Sequence, residues 1–191
     1  KTCDYNLKEL ENSVEKIILE IEGLKLKGVI KSIKQSGFDP SVVRTWYPDK
    51  TIREISTLLD LIKCQNLGNN AEWFIKLTLS DCLREVAFQR NHEFKLYRIR
   101  KEDRTNFYIP LFPIFVKKLQ RNLSGLRHYN SELVLRNFLN STSASVSNQN
   151  TVLTDKIINV PGIDIVLTSP PYGDSETTVA YAQFSWLSNV W

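Results

Sequence analysis

The sequence predicts an α/β chain in which a large helical segment precedes one late strand, and three observations lead there. Between Leu7 and Leu126, apolar residues recur at spacings of three and four in several blocks, the helical period. Ile163, Ile165, Val166 and Leu167 then form a short run rich in β-branched residues that stops at Thr168 before two prolines, which reads as a buried parallel strand. Between the two lies a polar stretch of low complexity, Asn140 to Asn150, with the composition of a flexible linker. These shifts divide the chain into a first helix and connector over 1–37, a helical segment over 38–140, a linker over 141–150, and the strand with its loop over 151–191.

In chain order, Leu7, Leu10, Val14, Ile17, Ile18 and Ile21 predict an amphipathic helix over about residues 6–22 that Gly23 would end. A basic connector, Gly23 to Gly28, follows. Gly37-Phe38-Asp39-Pro40 marks a turn, and Trp46-Tyr47-Pro48-Asp49 leads into the next helix with Asp49 as its expected cap. Ile52, Ile55, Leu58, Leu59 and Ile62 give that helix an apolar face. After the break at Gly68-Asn69-Asn70, a helix from Ala71 to about Gln89 carries Trp73, Phe74, Leu77, Cys82, Leu83 and Val86. A last helix is expected from near Pro113 through Phe115, Leu119, Leu123 and Leu126 toward Leu139.

Between the last two helices, basic residues alternate with aromatics. Arg90, Lys95, Tyr97, Arg98 and Arg100 are the candidate contacts to a nucleic acid, with Phe94, Lys101 and Arg104 beside them. Such a mixture can neutralise phosphates and pack on sugars or bases. The alternative is a strand that turns Phe94, Leu96 and Ile99 into the core and leaves the charges outside.

Ser169-Pro170-Pro171-Tyr172 is the feature that names a chemistry. The two prolines fix φ, remove two donors and restrict the residue before each. The Ser169 hydroxyl and the Pro170 carbonyl remain as acceptors. An amino group on a nucleobase is a poor nucleophile because its lone pair is delocalised into the ring. Two acceptors on its hydrogens favour pyramidalisation, and Tyr172 offers a face on which an extruded base can stack. Open α/β sheets place ligands at the carboxyl ends of their strands, where this loop would lie. Alternatively, the prolines simply end a strand and Tyr172 packs.

This loop resembles the catalytic motif of the S-adenosylmethionine-dependent amino methyltransferases, in which Asp, Asn or Ser precedes Pro-Pro and an aromatic residue. The Thr-Ser-Pro-Pro-Tyr form is similar to that of the cytosine-N4 DNA methylases of type II restriction-modification systems. Gly173-Asp174-Ser175, Thr177 to Tyr181, Gln183-Phe184-Ser185 and Glu93 to Arg98 resemble segments of the same branch. The resemblance implies a partial Rossmann-like methyltransferase core with the helical segment inserted before the catalytic strand. It implies S-adenosyl-L-methionine as cofactor, double-stranded DNA as partner, and methyl transfer to cytosine N4. Adenine N6 is the alternative, followed by RNA guanosine or protein glutamine. Ser169, Pro170, Pro171 and Tyr172 would be catalytic, and Asp155 would lie by the cofactor or shape the pocket, unless it only caps a turn.

The chain departs from that family in one large respect. It has seven glycines and no G-x-G turn of the kind that would hold the cofactor. Ala182 and Trp186 also stand where relatives would carry glycine and arginine. The expectation is therefore a fragment or one subunit of a split enzyme, with the cofactor motif on a separate chain or a missing segment. The competing expectation is a non-catalytic DNA-binding or partner-binding remnant.

Composition excludes other classes. No run of about 18 apolar residues appears, which argues against a membrane span. Cys3, Cys64 and Cys82 form no C-x-x-C pair, and His92 and His128 are the two histidines, so zinc and triad chemistry have few candidates. Reduced thiols point to the cytoplasm. A net charge of +4 is compatible with a nucleic-acid partner.

Overall fold

The structure, a computed structural model, describes residues 6–27, 40–90, 97–136, 164, 165 and 167. Within them the chain builds α1 (Leu7–Lys27), α2 (Pro40–Trp46), α3 (Asp49–Cys64), α4 (Asn69–Val86), a single 3-10 turn (Glu102–Arg104) and α5 (Leu111–Leu135). Helix α4 packs against α5, α1 and α3, α5 also touches α1 and α3, and α2 rests on α3. One apolar core runs through the four long helices. It takes Leu10, Val14, Ile17 and Ile21 from α1, and Ile52, Ile55, Leu58 and Ile62 from α3. Helix α4 adds Ile75, Leu79, Leu83 and Val86, and α5 adds Phe115, Leu119 and Leu123. Each set repeats at three or four residues, so each helix turns one stripe inward.

The expectation of an α/β, Rossmann-like fold is overturned. Among the described residues there is no strand and no sheet, only an isolated antiparallel bridge between Gln89 and Arg98. Ile165 and Leu167, read as part of a buried strand, are 76% and 94% exposed and lie in no regular element. The physical reason is that a strand needs a neighbour for its backbone N–H and C=O groups. A β-branched run supplies propensity but no neighbour.

Several helix boundaries also differ from expectation. Helix α1 passes through Gly23 and ends at Lys27, since a glycine in a helix interior costs only about 1 kcal/mol against alanine and is no stop by itself. Pro48, not Asp49, occupies the cap position of α3; Asp49 is the first helical residue and pairs with Arg44 at 3.1 Å. Helix α5 starts two residues before Pro113, which is tolerated in a first turn because the N–H it lacks has no helical partner there.

Two buried charges tie elements together. Glu54 of α3 is 4% exposed, and its carboxylate accepts from Tyr108 Oη at 2.7 Å and from the backbone N–H of Leu111 at 3.1 Å. Pro110 supplies no side-chain cap to α5, so Glu54 caps that helix from across the core, at the end where the helix dipole favours negative charge. Lys118 of α5 reaches α4, where its Nζ lies 2.7 Å from the Asp81 carbonyl, 2.9 Å from Asp81 Oδ2 and 2.7 Å from Glu85 Oε1. Burial pulls the Lys118 pKa down, but the Glu85 and Asp81 bonds outweigh it and hold the ammonium above its ordinary value.

Candidate nucleic-acid interface

The end of α4 and the segment 97–104 are joined by a short antiparallel contact. Arg90 N donates to Tyr97 O at 2.9 Å and Ile99 N to Phe88 O at 3.1 Å. Phe88 N in turn donates to Trp46 O at 2.7 Å, so the α2–α3 corner is stitched to the same place. The Phe88 ring packs on Phe107 with centroids 5.6 Å apart. Gln89 is buried, and its side-chain amide donates to Arg84 O. Of the alternation expected for the segment, Ile99 is half-buried and the pairing amounts to one bridge between Gln89 and Arg98, while Phe94 and Leu96 lie outside the described residues.

Of the expected nucleic-acid contacts, Arg90, Tyr97, Arg98 and Arg100 fall within the described residues and all four are exposed. Lys95 and Phe94 lie outside the described residues, as do Asp155 and the loop residues Ser169, Pro170, Pro171 and Tyr172. The bridge brings Arg90 and Tyr97 together. Arg98 takes a different partner: its guanidinium lies over the Trp46 ring, 4.0 Å from the centroid. Arg104 is turned back on the protein, where its Nη2 donates to Ile99 O at 3.2 Å and its guanidinium sits 5.6 Å from the Phe88 ring centre.

Two neighbours went unread in the sequence. Lys50, in the first turn of α3, places its Nζ 3.9 Å from the centre of the Tyr108 ring. The Tyr108 hydroxyl is bonded to Glu54; burial first, and then that bond, raise its pKa, so it stays protonated and donating. Trp46 and Tyr108 were legible only as aromatics beside prolines, Pro48 and Pro110, a pattern that marks corners as often as sites.

Among the described residues a cleft of about 290 Å³ opens between the starts of α1 and α4, lined by Asn6, Glu9, Leu10 and residues 68–71. It has no aromatic wall for a base. Among the described residues no group of three or more His, Cys, Asp or Glu could hold a metal ion, and no helix is long and apolar enough to cross a membrane. Nor do the described residues fit S-adenosylmethionine. Gly23 and Gly125 lie singly inside helices, and the space a Cβ would take at Gly68 is met at 2.9 Å by the Glu9 carboxylate.

No protein-family model matches the chain. No solved structure matches it either. Over 147 residues the chain is 32% identical to the type II methyltransferase M.MvaI of Kocuria varians, a match that takes in 76% of this chain and 32% of that protein. The chain is thus similar, over about three quarters of its length, to part of a type II methyltransferase, and spans about one third of the length of that relative.

Proposed function

We propose that this chain is part of a restriction-modification DNA methyltransferase that moves a methyl group from S-adenosyl-L-methionine to the exocyclic amine of a base, cytosine N4. The similarity to a type II methyltransferase over 147 residues carries the enzyme class. The target rests on Ser169-Pro170-Pro171-Tyr172, which begins with serine. In this reading the Ser169 hydroxyl and the Pro170 carbonyl accept the two amine hydrogens, Pro171 keeps the loop stiff and Tyr172 stacks on the extruded base. The amine loses its proton to these acceptors or to water, so no dedicated general base is required. The described residues give the methyl donor no site, and Asp155 is the residue of this chain proposed to stand beside it. The partner is double-stranded DNA.

The test is incubation of the chain with unmethylated DNA and methyl-labelled S-adenosylmethionine, followed by digestion and mass spectrometry of the nucleosides. N4-methylcytosine is expected. N6-methyladenine would keep the reaction and reverse the base assignment, and no labelled nucleoside from the folded chain, with or without a complementing cofactor-binding chain, would sink the reading.

A further inference from the structure

The cations of the helical part fall into two groups. On the side formed by α1, α4 and α5, Lys76 is paired with Glu72, Lys118 with Asp81 and Glu85, Arg121 with Asp81, and Arg127 with Glu11. At the α2–α3 corner, Lys50 and Arg98 have no carboxylate within ion-pair distance among the described residues, and each lies on an aromatic ring instead. Arg100 and Lys101 follow closely along the chain and are exposed, again without a described carboxylate partner. Other exposed cations without an ion pair among the described residues, Lys8, Lys16, Arg53, Lys63 and Lys117, are spread over α1, α3 and α5.

The corner's acids are largely occupied. Asp49 is taken by Arg44, and Glu54 is buried under Tyr108 and Leu111, which leaves Glu102 and Asp103 of the 3-10 turn. A ring beneath a cation fixes a long side chain without neutralising it. The charge remains available to an anion, and part of the rotamer freedom that binding would remove is already gone. The two ring-held cations share one support, because Phe88 bonds the Trp46 carbonyl and packs on Phe107, next to Tyr108.

We propose that Trp46 and Tyr108 are positioning residues that hold Arg98 and Lys50 as a preformed clamp for the phosphates of duplex DNA, with Arg100 and Lys101 extending it. The clamp rests on the DNA reading above but assigns residues that the methyl-transfer chemistry does not need. Arg98 gives a planar fork suited to phosphate oxygens, and the half-exposed Trp46 edge and exposed Tyr97 give surfaces for sugars.

The test measures binding of the full chain to a labelled unmethylated duplex by fluorescence anisotropy over a salt series. Arg98→Ala and Lys50→Ala are each expected to weaken binding roughly 3- to 10-fold and to lower the slope of log K against log salt by about 1. Trp46→Ala removes no charge yet should weaken binding to a similar extent, and Trp46→Phe should restore it. Arg121→Gln and Arg127→Gln, on the paired side, should bind as the unaltered chain does. An unchanged salt slope in both Arg98→Ala and Lys50→Ala would overturn the clamp, as would displacement of the duplex by polyglutamate as effectively as by unlabelled DNA. Salt-dependent binding through these residues with no methylated product, even with a complementing cofactor-binding chain, would sink the methyltransferase reading and leave the clamp. Methylated product and affinity both indifferent to Arg98→Ala would do the reverse.

Discussion

Glu54 carries more of the fold than its size implies. Its two oxygens satisfy a half-buried phenol and the fully buried first N–H of α5. Glu54→Ala removes the acceptor and strands the buried Leu111 N–H, so it is expected to cost roughly 1–3 kcal/mol. Urea unfolding followed by circular dichroism would read this as a lower midpoint, and a midpoint within error of the parent would show that α5 is capped some other way. Cys82 makes the opposite case of a polar group that burial silences. Burial, only partly offset by the Lys118 ammonium, pushes its thiol up to about 12, and its Sγ donates to the Thr78 carbonyl. A thiol reagent attacks the thiolate, so near neutral pH native Cys82 should stay unlabelled while exposed Cys64 reacts, and Cys82 should label only in denaturant. Peptide mapping checks this, and equal native labelling of the two would contradict the burial. At the proposed loop, Tyr172→Ala is expected to lower turnover roughly 5- to 100-fold more than Phe94→Ala, because base stacking contributes about 1–3 kcal/mol. Equal losses in a methyl-transfer assay would remove the stacking role from Tyr172.

Helix α4 shows what a periodicity contains and what it leaves out. Its apolar residues outnumber the places on one face, so spacing alone does not say which stripe turns inward. The structure selects Ala71, Ile75, Leu79, Cys82 and Val86, and leaves Trp73 and Leu77 at 70% and 71% exposure. Trp73 and Ile75 are two residues apart, about 200° around a helix, and cannot both face the core. Ile75→Ala should therefore cost about 2–5 kcal/mol, whereas Leu77→Ala should stay within about 0.5 kcal/mol. Thermal or urea melts of the pair decide it, and a larger loss at Leu77 would put the core on the other side of α4. The four long helices could be read in the sequence because their hydrogen bonds close within each segment and their stripes are local. The strand at 163–167 could not be settled the same way, since its pairing depends on residues elsewhere in the chain, and Ile165 and Leu167 are exposed instead. The α5 cap was invisible for a related reason: Glu54 stands 57 positions before the N–H it satisfies.

For the whole molecule, binding and chemistry fall on different stretches of chain. The core extends from Leu10 to Leu123, and the basic corner is built from residues between Trp46 and Tyr108, while the serine-proline loop begins at Ser169. Arg98 and Arg100 could be picked from the sequence because basic and aromatic residues alternate around them. Lys50 and Trp46 could not, because what joins them to Arg98 is a tertiary contact through Phe88. Every residue of the described core cluster lies before position 137, so removing residues 141–191 removes none of the cluster's own side chains. The shortened chain is expected to keep its helical circular dichroism, to unfold in one cooperative transition, and to bind duplex DNA with the salt slope of the full chain within about 1. It should yield no methylated nucleoside under any condition, since Ser169 to Tyr172 are gone. Non-cooperative melting of the shortened chain would place part of 141–191 in the core. A folded shortened chain that no longer binds DNA would move the principal contacts from the α2–α3 corner to the removed segment.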